Sequence, residues 1–215
     1  MKVIAIDGPS GSGKGTIAKE VAKRLNYTYV DTGAMYRCVS LMSLRENLEE
    51  NEKEKIVGLL ENADIKLTNE GKVYLNGEDV SDLIRTPEVT HRVSKISSII
   101  ELREVMRKKQ RELATKDNIV MEGRDITTEV FPDADYKFYL DASVEERTNR
   151  RYKQNIEKGI DCTYESIKAS IEERDYDDMH RPVGALTRTD EQNYIDSSNM
   201  SIEEVISTIM NIVGE

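Results

Sequence analysis

The stretch AIDGPSGSGKGTIAK, Ala5 to Lys19, sets Gly8, Gly13 and Lys14 at the spacing G-x-x-x-x-G-K. Glycines in such a loop let backbone N–H groups turn inward around an anion, and the lysine reaches the outer oxygens of a polyphosphate. A helix beginning at Lys14 adds the partial positive charge of its N-terminus at the same place. The flanks agree. The short apolar run Lys2–Ile6 reads as a buried parallel strand, and Ile17, Val21, Ala22 and Leu25 recur at helical spacing after the loop. The expected ligands of a nucleoside triphosphate are therefore Gly8, Pro9, Ser10, Gly11, Ser12, Gly13, Lys14, Gly15 and Thr16. Gly15 stands directly after the lysine, where serine or threonine is usual, so the hydroxyl available to magnesium falls one residue later, at Thr16.

Two more charged clusters follow apolar runs, and the C-terminal ends of parallel strands are where such sheets bind ligands. In DTGAMYR, Asp31 to Arg37, the side chains of Thr32, Tyr36 and Arg37 are candidates for a small anion, and a capped helix with a surface arginine is the alternative. In EGRDITTEVFPDA, Glu122 to Ala134, Glu122 falls where enzymes with this kind of loop keep the acid that orients the waters of magnesium. Arg124 is a phosphate clamp by type, although a charge pair that closes a loop would also read this way. A third group, Arg147, Arg150 and Arg151, shares one predicted helix at spacings of three and four. It is either a solvated face paired with Glu145 and Glu146 or a source of mobile charge for phosphates crowded together in a transfer step.

The elements that must position these residues form an alternating series. Strands are predicted at Lys2–Ile6, Thr28–Val30, Asn118–Met121, Tyr136–Ala142 and Asn193–Ser198, and a helix at Lys14–Leu25. Further helical patterns cover Gly33–Asn47, two stretches within Thr86–Leu113, one long charged stretch over 144–179, and a last amphipathic helix with Ile202, Val205, Ile206, Ile209 and Val213. Ser143 with Glu146 and Ser201 with Glu204 have the spacing of capping boxes. Between Ala63 and Ile84 the pattern changes to alternating apolar and polar residues broken by NEG and NG, which predicts two or three short antiparallel strands. The fold class is α/β: a five-stranded parallel sheet flanked by helices, with a small antiparallel β insert.

Composition narrows the partners. The 215 residues suffice for one domain, and a net charge of −10 makes a nucleic-acid duplex a poor partner. Cys38 and Cys162 are far apart and, with isolated His91 and His180, offer no metal-ligand spacing, so two free thiols are expected. No window reaches transmembrane length, and the N-terminal apolar run is too short for a signal-peptide core. A cytoplasmic monomer acting on small-molecule nucleotides, without membrane or nucleic acid, is the expectation.

DGPSGSGKGT, DTGAMYR, EGRD with VFPDA, and RDYDDMHRP occur in an order and at a spacing that together resemble the bacterial cytidylate kinase family, over essentially the whole chain. The GKGT loop is also similar to that of adenylate kinase and related nucleoside-monophosphate kinases. The resemblance implies transfer of the terminal phosphate of ATP to CMP or dCMP with Mg2+, and a helical lid that closes over ATP. It implies three regions: a core of 1–31, 117–150 and 183–215, a monophosphate-binding region 32–116 with the β insert at about 63–84, and a lid 151–182. It further implies that Thr32, Tyr36 and Arg37 touch the sugar and phosphate of CMP, and that Ser94, Arg103 and Asp125 meet the cytosine ring. Arg124 contacts phosphate, and Arg174, Asp178 and Arg181 close around ribose and phosphates. The expected catalytic set is Lys14, Arg124, Arg147, Arg151 and Arg181. Thr16, Glu122 through water, and Asp31 would hold the metal.

The chemistry of cytosine agrees with that set. A carboxylate accepts from the exocyclic amino group, while an arginine or hydroxyl donates to the ring acceptors, and uracil would leave polar groups unpaired at the same contacts. Two alternatives stand beside this reading: a kinase for another monophosphate such as UMP, and an ATP-binding regulatory switch. A guanine-reading N-K-x-D motif and a Ser-Gly-Gly signature of transport ATPases are both absent from the sequence, which counts against switch and motor.

Overall fold

The computed structural model describes residues 1–114, 117–157 and 159–214. Five parallel strands make the central sheet: β1 (Val3–Asp7), β2 (Thr28–Asp31), β6 (Ile119–Gly123), β7 (Tyr136–Asp141) and β8 (Asn193–Asp196), in the order β2-β6-β1-β7-β8. β1 is buried along its whole length, as a central strand covered on both faces must be. Its register pairs Ile6 with Glu122 and Asp7 with Gly123, and β2 pairs Asp31 with Glu122. The acids singled out in two separate motifs therefore end neighbouring strands side by side.

Helix α1 (Lys14–Leu25) leaves the loop after β1 and packs its apolar stripe, Ile17, Ala18, Val21 and Ala22, onto the sheet. α2 (Thr32–Arg45) follows β2 directly, and the Asp31 side chain caps it by accepting from the Ala34 N–H at 2.9 Å. Then come α3 (Lys53–Asn62), the insert strands β3 (Ile65–Leu67), β4 (Val73–Leu75) and β5 (Glu78–Asp79) in an antiparallel sheet, and a 3₁₀ turn at Leu83–Arg85. α4 (Pro87–Ser97) and α5 (Ile100–Leu113) lead to β6, and a single π turn at Ile126–Val130 separates β6 from β7. α6 (Val144–Glu157), α7 (Tyr164–His180) and α8 (Ile202–Val213) complete the chain.

Four expectations differ in detail. The charged stretch over 144–179 is two helices, because Thr163 accepts from the Ser166 N–H and Ser166 answers to the Thr163 N–H, a capping box that starts α7 afresh. Half of the Ser143 box forms: Ser143 Oγ accepts from the Glu146 N–H, while the Glu146 carboxylate is taken by Arg150 at 2.8 Å. The Ser201–Glu204 box is complete, but Ile202 on the same helix is exposed. The expected boundary between core and lid at 150–151 falls inside α6, and residues 115, 116, 158 and 215 of the expected regions lie outside the described residues.

The apolar interior is divided. One buried cluster is drawn entirely from residues between Ala34 and Met106, including Val39, Ile56, Leu60, Ile84, Ile96 and Leu102. A second joins α1 and α8 to the sheet through Ile4, Ile6, Phe138, Leu140 and Ile206. The cleft lies where these two bodies meet, at the C-terminal ends of the strands.

Candidate active site

The loop between β1 and α1 lines one end of the cleft. It approaches β7 so closely that a Cβ on Gly8 would collide with the carbonyl oxygen of Leu140, which explains glycine there. The Lys14 ammonium is buried and donates to the Pro9 carbonyl at 2.8 Å and the Ser12 hydroxyl at 3.4 Å. Burial first, and then Arg124, lowers its pKa to about 7. Ser10, Gly11, Ser12, Gly13, Gly15 and Thr16 line the same end, and Thr16 is exposed to the cleft.

Beside the loop stand the strand-end acids. Burial, with Asp31 alongside, holds the Glu122 carboxyl well above the usual carboxylate range. Thr32 donates to the Glu122 carbonyl at 2.7 Å and so ties α2 to β6. The described residues contain no group of three or more His, Cys, Asp or Glu able to enclose a metal. Two adjacent carboxylates and the Thr16 hydroxyl nevertheless suit Mg2+, which keeps several waters and takes its remaining ligands from phosphate oxygens.

The opposite end gathers the acceptor candidates. Arg103 is buried at 1% exposure, and its Nη2 donates to Asp125 at 2.5 Å. Its Nη1 donates to the Ser97 carbonyl at 2.9 Å, its guanidinium lies 5.5 Å from the centre of the Tyr36 ring, and its Nε has no partner among the described residues. Arg37 donates from Nη1 to the Ile84 carbonyl at 3.0 Å and to the Thr90 hydroxyl at 2.7 Å. Burial, with Arg174 and Arg85 nearby, lowers it to about 9. Arg124, Arg174 and Arg181 surround one carboxylate. Asp178 accepts from Arg124 Nε at 2.6 Å, pairs with Arg181, and lies 4.0 Å from Arg174 Nε. Burial pushes Asp178 up, but the three guanidinium groups outweigh it and hold the carboxyl down to about 2. The whole cleft encloses about 1350 Å³. That exceeds the roughly 300–1,000 Å³ of a one-ligand pocket, so two nucleotides have room.

A model of the family described as cytidylate kinase matches residues 4–215. A cytidylate kinase of Bacillus cereus strain ATCC 10987 is 46% identical over 214 residues, covering 98% of this chain and 95% of that protein. One from Leuconostoc mesenteroides is 44% identical over 213 residues, with 98% and 95% covered. The chain belongs to the cytidylate kinase family. Among solved structures, the shikimate kinase of Bacteroides thetaiotaomicron superposes with a TM-score of 0.52 at 14% identity, covering 100% of this chain and 99% of that one, a likeness of fold. With family membership, phosphorylation of CMP and dCMP is the activity of this chain, and neither a UMP kinase nor a switch is favoured.

Most residues expected from the sequence meet in the cleft of this cytidylate-kinase fold, but Gly8, Pro9, Ser94 and Arg147 are not part of its lining; the Pro9 carbonyl is taken by Lys14. Ser94 does not line it: its hydroxyl donates to Asp177 at 3.0 Å and joins α4 to α7, while Ser97, one turn on, faces the cleft. Arg147 is not a mobile cation. It is buried at 4% exposure, pairs with Asp175 at 2.6 Å and donates to the carbonyls of Ala142 and Ser10, bracing the phosphate loop from behind. Arg151 lines the cleft, and so does Arg150, which donates to the carbonyls of Ser12 and Ser197.

Three contributors escape sequence reasoning. Asp7 is fully buried and accepts from the Ile126 N–H at 2.9 Å and from the Thr127 N–H and hydroxyl at 2.8 and 2.6 Å. Burial pushes it up to about 6 against these three bonds. It fixes the segment just after Arg124 and Asp125 to the strand that carries the phosphate loop. An acid ending a wholly apolar strand was the available signal. Gly184, at φ +64°, lies over the Arg103–Asp125 pair and leaves no room for a Cβ, and nothing in its surrounding sequence marks it. Arg85 lines the cleft from the insert.

Proposed function

We propose that the two ends of the cleft are donor and acceptor halves of one phosphoryl-transfer site, with ATP on the Lys14 loop and the monophosphate of CMP or dCMP among Arg37, Arg124 and Arg181. A phosphate oxygen of CMP attacks the terminal phosphorus of ATP in line. The bond from that phosphorus to the bridging oxygen breaks, its electron pair leaves on ADP, and CDP forms. The attacking phosphate is largely doubly ionised at neutral pH, with a second pKa of about 6, so no general base is required. Lys14 and the loop amides hold the outer phosphates, and the arginines offset the charge that gathers between the two nucleotides. Thr16, Glu122 through water, and Asp31 would hold Mg2+, which would supply positive charge to offset that of the phosphates. Asp125 accepts from the cytosine amino group and Arg103 donates to the ring acceptors, while Tyr36, Thr32, Arg174 and Asp178 complete the acceptor pocket.

The observation that carries this reading is the buried Arg103–Asp125 pair in the lining of the same cleft as Lys14. It offers a fixed acceptor beside a fixed donor, which complements cytosine and mismatches uracil. The region 32–116 binds the monophosphate and the lid 151–182 closes over ATP, in a cytoplasmic monomer. The test is an acceptor panel of CMP, dCMP, UMP and AMP, with ATP and Mg2+, following ADP. CMP and dCMP are expected to turn over fastest, with no comparable ATP loss when acceptor is left out. A panel led by UMP or AMP, or acceptor-independent hydrolysis, would overturn the reading.

A further inference from the structure

Arg85 ends the 3₁₀ turn that closes the insert, and its position is set firmly although its side chain is half exposed. Its N–H donates to the Asp82 carbonyl at 3.0 Å, Ile84 before it is completely buried, and Thr86 and Pro87 after it open α4. The Ile84 carbonyl accepts from Arg37 Nη1 at 3.0 Å. One guanidinium thus grips the backbone one residue away from the next, and both line the cleft. The only ion pair of Arg85 among the described residues is a loose one, Nη2 to Asp31 Oδ2 at 3.5 Å, with the arginine side chain 50% exposed. A pair of that length and exposure contributes little to stability. Cations are brought together there despite repulsion. Arg85 is among the groups that lower Arg37, after burial and Arg174, and it also lowers Arg151, after burial.

We infer that Arg85 is a further substrate-binding residue, a guanidinium that the insert delivers to the phosphate of the monophosphate acceptor. The inference rests on the two-substrate reading above. The Asp31 carboxylate holds Arg85 over the cleft mouth beside Arg37, and the acceptor's phosphate replaces that carboxylate as its anionic partner. A guanidinium–phosphate contact is charge-assisted, and the planar fork of arginine suits two parallel bonds to phosphate oxygens. The insert is thereby more than a lateral decoration, because its closing turn carries one of the charges that grip the acceptor.

The test is equilibrium binding by calorimetry, without metal, of CMP, cytidine and ATP to the wild type, Arg85→Ala and Arg85→Lys, beside turnover in the acceptor panel. Loss of one charge-assisted contact predicts CMP binding weakened about 10- to 100-fold in Arg85→Ala. Arg85→Lys should recover part of the loss, with cytidine and ATP affinities within about threefold and the melting temperature unchanged. CMP affinity unchanged in Arg85→Ala would overturn the inference, as would equal losses for CMP and cytidine, or a loss confined to ATP. If the wild type itself bound CMP no better than cytidine and failed to phosphorylate it, the two-substrate reading would fall, independently of Arg85.

Discussion

Lys14 combines burial with a duty that needs charge. Its ordinary pKa of 10.5 falls to about 7 in the fold. Between those values the unfolded chain binds the extra proton, so stability should rise with pH across that window. Lys14→Met, which buries no charge, should melt at or above the wild-type temperature at pH 7 while ADP formation falls at least about a thousandfold. An enzyme that keeps its turnover, or a variant that melts markedly lower, contradicts this. The phosphates of ATP should draw the proton back, so binding at pH 8 takes up protons, detectable by calorimetry in two buffers of different ionisation enthalpy. Asp125 calls for a gentler change than alanine, because removing it strands a buried Arg103, which costs about 3–5 kcal/mol. Asp125→Asn should lower the melting temperature and narrow the CMP:UMP ratio of kcat/KM about 10- to 100-fold. An unchanged ratio would remove Asp125 from base reading. At this scale the sequence announced Lys14, Arg124 and Asp125 because motif spacing is local. Arg147 misled because helical spacing names its face but not Asp175, the partner that crosses from α7.

The elements are held in place by small parts. Gly184 sits between the end of α7 and β8, and its missing side chain lets that segment close over Arg103 and Asp125. Gly184→Ala, strained at φ +64° and without space, should raise the KM for CMP about tenfold or more and leave that for ATP within about threefold. Equal effects on both substrates would point to general disruption. The strands and the insert were legible because apolar runs and NG-type turns are strong short-range signals. The break between α6 and α7 was not, because its start signal is Thr163 with Ser166 in a stretch of polar residues that also suits a continuous helix. The π turn at Ile126–Val130 exists because a buried carboxylate of β1, Asp7, holds its first two amides, and no local pattern reveals a partner so distant in the chain.

Across the molecule, the apolar core of residues 34–106 is nearly complete in itself, and the acidic body of net charge −10 surrounds a cleft lined with arginines. A body with its own core can shift as a unit when its contacts across the cleft change. CMP should therefore slow backbone hydrogen exchange chiefly at 83–97 and 174–186, on both sides of the acceptor end, with little change in α8. Protection confined to the loop before α1 would contradict this. Raising ionic strength should weaken CMP binding without altering the melting temperature in step, since the cleft's charges act on the ligand more than on the fold.

Asp178 has a consequence for which anions succeed. It puts one negative charge, ionised down to about 2, among the guanidinium groups of Arg124, Arg174 and Arg181. An arriving ligand must outcompete a resident anion of unit charge. A phosphate dianion clears that threshold and a monoanion only equals it, so the cleft weighs charge as well as shape. The acid limb of CMP affinity should then follow the second ionisation of the nucleotide's own phosphate, about pH 6, and shift with the phosphate's pKa when the substrate is chemically altered.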